Sequence, residues 1–451
     1  MKKRIVILGG GESGVGAALL AQKAGYDVFV SDESSLKDNY RNELRQAAIS
    51  FKENGHDLDK VMAADEIMKS PGIPEKNETV KRIRKAGIPI ISEIELAYRY
   101  KGDSKIIAIT GSNGKTTTTA LTYHIIMKGG VDAALVGNIG FSFARQVAED
   151  PKPVYVAEIS SFQLDDIHTF RPEIAILTNI TEDHLDRYEY QFENYIRSKF
   201  RIAMNQRPED HFIYCADDEV TMQFINQPEK IGFTIQSKQL PFTMKSELKN
   251  GAFIKDGDMY VRTGEEFTSM SVYDFALKGK HNQYNTMAAC VAADILDIRK
   301  EKIREAVQDF KSLEHRMEPV ATVRGVEFIN DSKATNVNST WYALESMTKP
   351  TILILGGVDK GNDYSLIAEL VKEKVRAIIC IGTDNRKIHE AFGNIVSPIV
   401  NTGSAYEAVH AAYHFSTKGD VVLLSPACAS FDLFKNYEDR GNQFKQAVRD
   451  L

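Results

Sequence analysis

Cysteine is scarce in this chain, and the four cysteines stand far apart. Cys215, Cys290, Cys380 and Cys428 form no C-x-x-C pair and show no short spacing typical of metal ligands. A disulfide scaffold and a cysteine-based metal centre are therefore excluded as descriptions of the chain. The pattern fits a reducing compartment, and we expect a cytoplasmic location.

Long hydrophobic runs are also absent. The apolar stretch at the amino terminus covers only Ile5 to Leu8 before Gly9, which is too short for the hydrophobic region of a signal peptide. No later stretch approaches the roughly 18 apolar residues that span a bilayer. We find no short-period repeat and no low-complexity tract, so we do not expect a solenoid or a linker-rich scaffold.

An excess of positive charge is missing too. The chain has 56 Lys and Arg residues against 62 Asp and Glu residues, a formal net charge of -6, with 43% hydrophobic residues. Proteins that coat nucleic acid or anionic membranes use clustered Lys and Arg, so we expect neither partner. The balance still allows a local pocket for an anionic small molecule.

What the sequence does contain is a repeated alternation of strands and helices. A length of 451 residues suggests about three domains. Short β-branched runs alternate with helical patterns in three successive segments, which predicts an α/β fold of three consecutive α/β domains with parallel sheets. We place the domains at residues 1–98, 99–312 and 313–451, and expect the first and third to be Rossmann-like. Irregular polar strands between about 228 and 275 predict a small β appendage on the second domain.

The first glycine cluster is Gly9-x-Gly11-x-x-Gly14, which follows a strand and opens a helix. Together with Asp32 at the end of the next strand, it matches a dinucleotide-binding fingerprint, in which the backbone approaches a pyrophosphate. A nucleotide or sugar-nucleotide phosphate at the start of this helix is the favoured interpretation. Ser70 follows another strand and could close the same crevice. The alternative is a turn that needs small residues only for packing.

The strongest local signal is a phosphate loop. A strand ending at Thr110 runs directly into the sequence Gly111-Ser112-Asn113-Gly114-Lys115-Thr116-Thr117 and then into a helix. Backbone N–H groups of such a loop can surround phosphate oxygens, Lys115 can reach the transferred phosphoryl group, and the hydroxyl of Thr116 can bind Mg²⁺. The loop is a shortened G-x-x-G-K-T form, because the residue five before Gly114 is Ile109. We therefore expect the second domain to resemble a P-loop ATPase.

Two polar clusters follow later strands of the second domain. Glu158 opens the sequence Glu158-Ile-Ser160-Ser-Phe-Gln after one strand, and His184 closes Asn179-Ile-Thr-Glu-Asp-His184 after another. An open parallel sheet binds its ligands beyond the carboxyl ends of its strands. Carboxylate oxygens suit Mg²⁺, so the two clusters and the phosphate loop predict a shared magnesium and nucleotide site.

These motifs resemble those of a known family. The second domain resembles the central domain of the Mur ligases and folylpolyglutamate synthetases in five blocks: Thr110-Gly-Ser-Asn-Gly-Lys-Thr-Thr117, Gly137-Asn138-Ile139-Gly140, Glu158-x-Ser-Ser-Phe-Gln-Leu164, Asn179-Ile-Thr-Glu-Asp-His184 and His281-Asn282-x-x-Asn285. The last third resembles the D-glutamate-adding branch of the Mur ligases in His315-Arg316, Asn330-Asp331-Ser332-Lys333-Ala334-Thr335-Asn336, Gly356-Gly357-x-x-Lys360 and Ser425-Pro-Ala-Cys-Ala-Ser-Phe-Asp432. The resemblance spans essentially the whole chain, in order.

The resemblance implies an ATP-dependent ligase of peptidoglycan precursor synthesis. Such an enzyme joins D-glutamate to UDP-N-acetylmuramoyl-L-alanine through an acyl phosphate and releases ADP and phosphate. The first domain would hold the UDP-sugar and no nicotinamide, the second ATP, and the third D-glutamate. We expect ATP and two Mg²⁺ ions as cofactors, and a monomer.

The resemblance also implies roles for individual residues. The catalytic residues would be Lys115, Asn138, His184 and Lys199. Mg²⁺ would be held by Thr116, Glu158, His184 and a CO₂-derived carbamate on Lys199. ATP would contact Gly111, Ser112, Asn113, Gly114, Lys115, Thr116, Thr117, Asn282, Arg316 and Asp331. The UDP-sugar would contact Glu12, Ser13, Asp32, Ser70, Asn138, Ser160 and His184. D-glutamate would contact Lys333, Thr335, Lys360, Ser430 and Tyr437.

Three other functions stay open on the sequence alone. A Mur ligase that adds a different amino acid would share most of these blocks. An NAD-linked oxidoreductase would use the first glycine cluster but leaves Lys115 and its loop without a role. A non-enzymatic binding module switched by ATP would need only the phosphate loop.

Overall fold

The computed structural model describes residues 2–265, 267–311, 314–359 and 361–451. In these ranges the chain forms three β-sheets with flanking helices, which confirms the predicted series of α/β domains. The chain folds into two compact units: Met1–Phe275 with Tyr284–Phe310, and Ala276–Gln283 with Lys311–Leu451. The junction predicted at 312 to 313 falls on residues outside the described ranges.

The first sheet has five short strands. They are β1 (Arg4–Leu8), β2 (Asp27–Ser31), β3 (Ser50–Lys52), β4 (Glu66–Lys69) and β5 (Ile90–Ile91). The helices are α1 (Glu12–Lys23), α2 (Asp38–Gln46), α3 (Leu58–Met62), α4 (Glu78–Lys85) and α5 (Glu93–Tyr100). All neighbouring strands are parallel in the order β3-β2-β1-β4-β5, so the strand order reverses beside β1. Open α/β sheets bind ligands at such a reversal, beyond the carboxyl ends of the strands.

The central sheet has nine strands. They are β6 (Lys105–Thr110), β7 (Ala133–Gly137), β8 (Val154–Glu158), β9 (Ile174–Leu177), β10 (His211–Cys215), β11 (Lys238–Thr243), β12 (Gly251–Lys255), β13 (Asp258–Arg262) and β14 (Thr268–Ser271). The helices are α6 (Lys115–Lys128), α7 (Phe143–Glu149), α8 (Ser161–Leu164), α9 (Phe192–Phe200), α10 (Glu219–Ile225), α11 (Pro228–Ile231), α12 (Lys280–Ile295) and α13 (Lys300–Asp309). The order is β14-β13-β12-β11-β10-β9-β6-β8-β7, with β6 between β9 and β8.

The strands predicted between about 228 and 275 extend the central sheet. β11 pairs in parallel with β10 and with β12, and β12, β13 and β14 follow as an antiparallel meander. Buried and half-exposed residues alternate along β13, so one face of this part of the sheet is covered and the other meets solvent. Antiparallel strands with one wet face carry many polar residues, which explains why the sequence pattern alone suggested an appendage.

The third sheet has six strands. They are β15 (Glu318–Val323), β16 (Val326–Asn330), β17 (Thr351–Leu355), β18 (Val375–Ile381), β19 (Ile399–Thr402) and β20 (Val421–Leu424). The helices are α14 (Val337–Glu345), α15 (Ala368–Lys374), α16 (Arg386–Phe392), α17 (Ala405–Phe415) and α18 (Tyr437–Arg449). The order is β15-β16-β20-β17-β18-β19, and only β15 runs antiparallel to its neighbour.

Apolar runs form the centres of the sheets. Ile106, Ile107, Ala108 and Ile109 of β6 have no exposed surface, because both faces of this strand are covered. Such continuous runs are typical of parallel strands between helices. The four cysteines are free and buried. Among the described residues, no helix is long and apolar enough to cross a membrane.

Candidate active site

The phosphate loop joins β6 to α6. Gly111 and Gly114 have φ angles of 147° and 81°, which glycine adopts without the strain of other residues. A Cβ on Gly111 would lie 1.9 Å from Oγ1 of Thr178, and a Cβ on Gly114 would lie 2.3 Å from Oδ1 of Asn285. The side chains of Thr178 and Asn285 therefore leave no room for a Cβ at these positions, and a larger residue would fit only if these side chains or the loop moved.

Polar groups after β9 hold the loop in place. The N–H of Asn113 donates to Oδ1 of Asn179 at 2.9 Å. Oγ of Ser112 donates to the carbonyl of Thr181 at 2.8 Å and lies 3.1 Å from the hydroxyl of Tyr195. Two motifs that follow separate strands in the sequence are therefore parts of one structure.

Two lysines meet at one carbonyl of the loop. Nζ of Lys115 donates to the carbonyl of Gly111 at 2.8 Å, and Nζ of Lys199, from α9, donates to the same carbonyl at 2.6 Å. Lys199 is only 1% exposed. Burial, followed by the charge of Lys115, lowers the pKa of Lys199 well below its usual value. The site therefore favours a neutral amine at Lys199.

Glu158, at the end of β8, is buried beside the loop that follows β7. Oε1 of Glu158 accepts a hydrogen bond from Nδ2 of Asn138 at 2.7 Å. The N–H of Asn138 donates to the carbonyl of Glu158 at 2.8 Å. Asn138 is exposed while Glu158 is 1% exposed, so the pair fixes an accessible amide next to a buried carboxylate.

His184 lies in a left-handed conformation, with φ of 53°, before a short 3₁₀ turn. Nε2 of His184 is 3.6 Å from Oδ2 of Asp183, and its ring packs edge-on against Phe162. The guanidinium of Arg187 lies 4.2 Å from the centre of the Phe162 ring and donates to the carbonyl of Pro71 at 3.1 Å. The His184 loop is thereby connected to the loop after β4.

The loops after β1 and β4 lie close together at the carboxyl ends of these two parallel strands. A Cβ on Gly9 would lie 2.6 Å from Oγ of Ser70, and this oxygen is buried with no hydrogen-bond partner among the described residues. The carboxylate of Asp32 accepts hydrogen bonds from the N–H of Gly10 at 2.7 Å and of Ser34 at 2.8 Å. The buried hydroxyl fits a polar ligand, and Asp32 also shapes the loop.

Glu12 and Ser13 begin α1. The carboxylate of Glu12 faces Arg145, whose Nε donates to Oε1 at 2.8 Å and whose Nη2 donates to Oε2 at 3.2 Å. No acceptor among the described residues binds the N–H groups of Glu12, Ser13 and Gly14. A helix start with open N–H groups suits a phosphate.

Asp331 follows β16 in the second unit. Its Oδ2 accepts a hydrogen bond from Oγ of Ser425 at 2.9 Å, and its Oδ1 accepts one from the N–H of Met317 at 3.2 Å. Burial raises the pKa of Asp331 to about 6, and the charge of Arg316 opposes the rise. Nε of Arg316 is buried with no hydrogen-bond partner in the described ranges.

His281 and Asn282 open α12, and they belong to the same unit as Arg316. Nδ2 of Asn282 donates to the carbonyl of Lys278 at 2.8 Å. Burial, and then the charge of Arg316, lowers the pKa of His281 to about 4. His281 is therefore neutral at pH 7.

The glycine pair after β17 packs on the loop after β20. Gly357 has φ of 132°, and its Cβ would lie 2.2 Å from the carbonyl of Ala429. The N–H of Val358 donates to this same carbonyl at 2.8 Å. Next in the chain, Ser430 is 2% exposed, whereas Phe431 is 71% exposed.

Lys333 and Tyr437 also lie together in the second unit. Nζ of Lys333 is 5.3 Å from the centre of the Tyr437 ring. Oγ of Ser332 donates to the carbonyl of Tyr437 at 2.8 Å. Thr335 is half-buried in the loop before α14, and Lys360 lies outside the described residues.

Comparisons with known proteins agree with this arrangement. Family models match in chain order: the Mur ligase MurD-like N-terminal domain over residues 3–92, the Mur ligase middle domain over 109–293 and the Mur ligase glutamate ligase domain over 315–428. The chain is 53% identical to the UDP-N-acetylmuramoylalanine–D-glutamate ligase of Christiangramia forsetii and 52% identical to that of Bacteroides fragilis, in each case over 100% of both chains. The chain belongs to the Mur ligase family. The resemblance seen in the sequence is confirmed over its whole length.

Solved Mur ligases share the fold. UDP-N-acetylmuramate–alanine ligase of Thermotoga maritima superposes with a TM-score of 0.63 at 18% identity, over 99% of both chains. The MurF ligase of the same organism, solved with ADP, gives a TM-score of 0.60 at 13% identity over 94% of this chain and 95% of that one. At such identities the likeness concerns the fold alone.

Three further residues of the predicted site are Thr116, Thr117 and Ser160. Thr116 and Thr117, in the first turn of α6, are 4% and 7% exposed. Ser160 and Gln163 form a capping box at the start of α8, in which the N–H of Ser160 donates to Oε1 of Gln163 at 2.9 Å and Oγ of Ser160 lies at the same distance from this oxygen. Ser160 therefore has a structural role in addition to the predicted substrate contact.

Sequence reasoning missed three arginines: Arg145, Arg187 and Arg440. Arg440 is 1% exposed and donates to Oγ of Ser332 at 3.0 Å, to the carbonyl of Ser332 at 2.8 Å and to the carbonyl of Cys428 at 3.1 Å. It thereby joins the two loops that carry Lys333 and Ser430. One signal was available, since Arg440 lies on the buried face of α18.

Proposed function

We propose that this Mur ligase joins D-glutamate to UDP-N-acetylmuramoyl-L-alanine through an acyl phosphate, with release of ADP and phosphate. The observation that carries the proposal is the 53% identity, over the full length of both chains, to a ligase named for this reaction. The intact phosphate loop beside Lys199 and Glu158 supports it.

The first step brings a carboxylate to a polyanionic nucleotide, so the site must supply positive charge and hydrogen-bond donors. Lys115 and the N–H groups of the phosphate loop are the donors available. In the structure Lys115 binds the carbonyls of Gly111 and Ser112, and exchange of these contacts for phosphate oxygens leaves the ammonium charge at the phosphoryl group. The amide of Asn138, held by Glu158, is suited to orient the L-alanyl carboxylate.

The protein side chains of this site would bind Mg²⁺ together with phosphate oxygens of the substrates. In the described ranges no group of three or more His, Cys, Asp and Glu side chains is arranged for a metal. Thr116, Glu158, His184 and a carbamate on Lys199 would supply protein ligands, and phosphate oxygens the others. When bound, Mg²⁺ would neutralise charge that develops on the phosphoryl oxygens. The buried, neutral amine of Lys199 supports carbamylation, because CO₂ adds to neutral amines.

The second step is attack of the D-glutamate amine on the acyl carbonyl, with phosphate as the leaving group. D-glutamate has two carboxylates, so its pocket needs cations and donors. We assign Lys333, Thr335, Lys360, Ser430 and Tyr437 to it, and Asn282, Arg316 and Asp331 to the nucleotide. The packing of the Gly357 loop on the Ala429 loop, and the bridge by Arg440 between the Ser332 and Cys428 loops, support a common pocket.

We assign the UDP group to the carboxyl ends of β1 and β4 in the first sheet. The open N–H groups at residues 12 to 14 suit its diphosphate, and the unpartnered Oγ of Ser70 suits a polar group of the uridine or sugar. We divide the chain near residues 98 and 312, and the family models that end at 92 and begin at 315 support this division. We also propose a monomer.

The test is a phosphate-release assay with one substrate omitted at a time and with D-glutamate, L-lysine, diaminopimelate and L-alanine as acceptors. We expect release only with the full set, and rates at least about 100-fold higher with D-glutamate than with the other amino acids. Lys115→Ala should abolish release, and Lys105→Ala, an exposed lysine at the other end of β6, should not. Equal rates with another acceptor would point to a different Mur ligase, and no release would overturn the proposal.

A further inference from the structure

Arg145, on α7, binds three carboxylates: Glu12 of α1, Glu43 of α2 and, at 3.0 Å from Nη1, the exposed Glu149 of its own helix. Nε and Nη2 of Arg145 contact Glu12 at 2.8 and 3.2 Å, and Nη2 contacts Oε2 of Glu43 at 3.2 Å. Nη1 makes a further short contact with Glu43. The Arg145 side chain is 11% exposed, while those of Glu12 and Glu43 are 35% and 30% exposed. This partial burial strengthens the pairs relative to solvent-exposed ones.

The position of this cluster links two parts of the proposed substrate site. Glu12 is the first residue of α1, directly after the glycine loop of the first sheet. Arg145 lies in the first turn of α7, which follows the loop that carries Asn138. The approach is close, because a Cβ on Gly16 would lie 2.3 Å from Oγ of Ser142.

A second contact fixes the same turn. Oε1 of Glu93, at the start of α5, accepts hydrogen bonds from Oγ of Ser142 and from the N–H of Ala144, both at 2.6 Å. The start of α7 is therefore attached to the first sheet through α1 and α5 together. Arg145 supplies the charged part of this attachment.

Charge gives Arg145 its importance for an anionic ligand. The N–H groups at the start of α1 would face a diphosphate, but the carboxylate of Glu12 belongs to the same turn. Without the guanidinium, Glu12 and Glu43 would be two partly buried negative charges close to the diphosphate. With it, both carboxylates are paired and point to α7.

We propose that Arg145 is a positioning residue for the UDP-sugar: it pairs with Glu12 and Glu43 and offsets one of their two negative charges, so that the start of α1 accepts a diphosphate, and it holds the Asn138 loop in register with that site. The inference rests on the proposed function for the identity of the ligand. It does not require that the enzyme add D-glutamate.

The test compares Arg145→Gln with the triple variant E12Q/E43Q/R145Q. Titration calorimetry measures the affinity for UDP-N-acetylmuramoyl-L-alanine, and steady-state kinetics measures the KM values for all three substrates. Arg145→Gln should weaken UDP-sugar affinity by about tenfold or more, with KM for ATP and D-glutamate within about twofold of wild type. The triple variant keeps the backbone N–H groups of residues 12 to 14 and should recover part of the affinity, because of the three carboxylates that contact Arg145 only the exposed Glu149 is left without the guanidinium. Raising the ionic strength should reduce the difference in UDP-sugar affinity between Arg145→Gln and wild type, because salt screens the charges of the carboxylates.

Arg4→Gln is the matched control. Arg4 pairs with Asp27 at 2.8 Å at the opposite end of the first sheet, and removal of this exposed pair should leave UDP-sugar affinity unchanged. Equal affinity of Arg145→Gln and wild type would overturn the inference. A parallel loss for all three substrates, without recovery in the triple variant, would also overturn it and assign Arg145 a purely structural role. Wild type that binds the UDP-sugar but forms no product would overturn the proposed function and leave the inference testable by calorimetry.

Discussion

Lys199 stands in surroundings that oppose its own charge. Its ammonium would be fully buried, next to Lys115, and its Nζ donates a hydrogen bond to the carbonyl of Gly111. The negative charges of Asp183, Asp165 and Glu158 oppose the fall in the pKa of Lys199, but burial outweighs them, so the neutral amine is favoured. Conversion to a carbamate would replace the buried ammonium with a negatively charged oxygen ligand, whose charge Mg²⁺ would neutralise.

The first prediction concerns this lysine. Lys199→Ala and Lys199→Arg should both lower kcat by at least about 100-fold, because neither can form a carbamate. Wild type depleted of CO₂ should lose activity and regain it with bicarbonate, as measured by phosphate release. An arginine variant with more than a tenth of the wild-type kcat would contradict a carbamate and favour a simple cation.

The second prediction concerns His281 and pH. Its pKa of about 4 lies below the usual 6.5, so the unfolded chain binds more protons between these values and stability falls as pH falls through this window. Between pH 7 and pH 5, this group should lower the free energy of unfolding by about 2 kcal/mol. Urea titrations at both pH values should show a smaller pH dependence for His281→Asn than for wild type. His414→Asn, at an exposed site of α17, is the control, and identical pH dependence in wild type and His281→Asn would contradict the prediction.

The sequence alone identifies a functional residue when it belongs to a motif of characteristic spacing. Lys115 follows from the phosphate loop itself, whereas Lys199 was found only through the family resemblance, since a lysine in a helical stretch has no signature of its own. Arg145 and Arg440 escaped both routes. Their partners lie far away in the chain, as with Glu12 and Arg145, and such pairings appear only in the folded molecule.

At the scale of elements, the phosphate loop depends on the start of α6. Gly114 precedes this helix in the left-handed region, and the Oδ1 of Asn285 that limits its space also accepts a hydrogen bond from Oγ1 of Thr118 at 3.1 Å. Any side chain at residue 114 must therefore displace a contact that links α12 to α6. The loop is fixed by packing as well as by its own backbone.

The third prediction follows from this packing. Gly114→Ala should raise the KM for ATP by about tenfold or more, because the clash with Asn285 moves the loop. Gly130→Ala is a matched control after the other end of α6: Gly130 has a similar φ of 83°, and a Cβ there meets nothing within 4 Å. Both variants should lose about 1 kcal/mol of unfolding free energy, because alanine is strained in the left-handed region, but only Gly114→Ala should raise the KM for ATP. Equal KM values for ATP in the two variants would contradict the prediction.

Elements with strong patterns were predictable. The strand Lys105–Thr110 ends at the predicted residue, because the glycine loop stops its continuous apolar run. The segments after residue 228 were predicted as strands, but the sequence did not show that they belong to the central sheet. Pairing of β11 with β10 is set by backbone hydrogen bonds that a one-dimensional pattern does not report.

At the scale of the whole molecule, the length of the chain predicted the number of domains, but it did not predict which domains pack together. The first and central sheets share one compact unit. Ion pairs join them across long stretches of chain, including Glu12 with Arg145 at 2.8 Å and Lys69 with Asp166 at 3.1 Å. A shared unit suits an enzyme that must keep the UDP-sugar at a constant distance from ATP.

In the reaction that we propose, the phosphate loop activates the L-alanyl carboxylate as an acyl phosphate for D-glutamate. The most direct measurement uses UDP-N-acetylmuramoyl-L-alanine with ¹⁸O in that carboxylate, and follows the isotope by mass spectrometry. We predict that the released phosphate contains one ¹⁸O atom and that one D-glutamate is added for each phosphate. Phosphate without ¹⁸O, or phosphate released without D-glutamate addition, would contradict the claim.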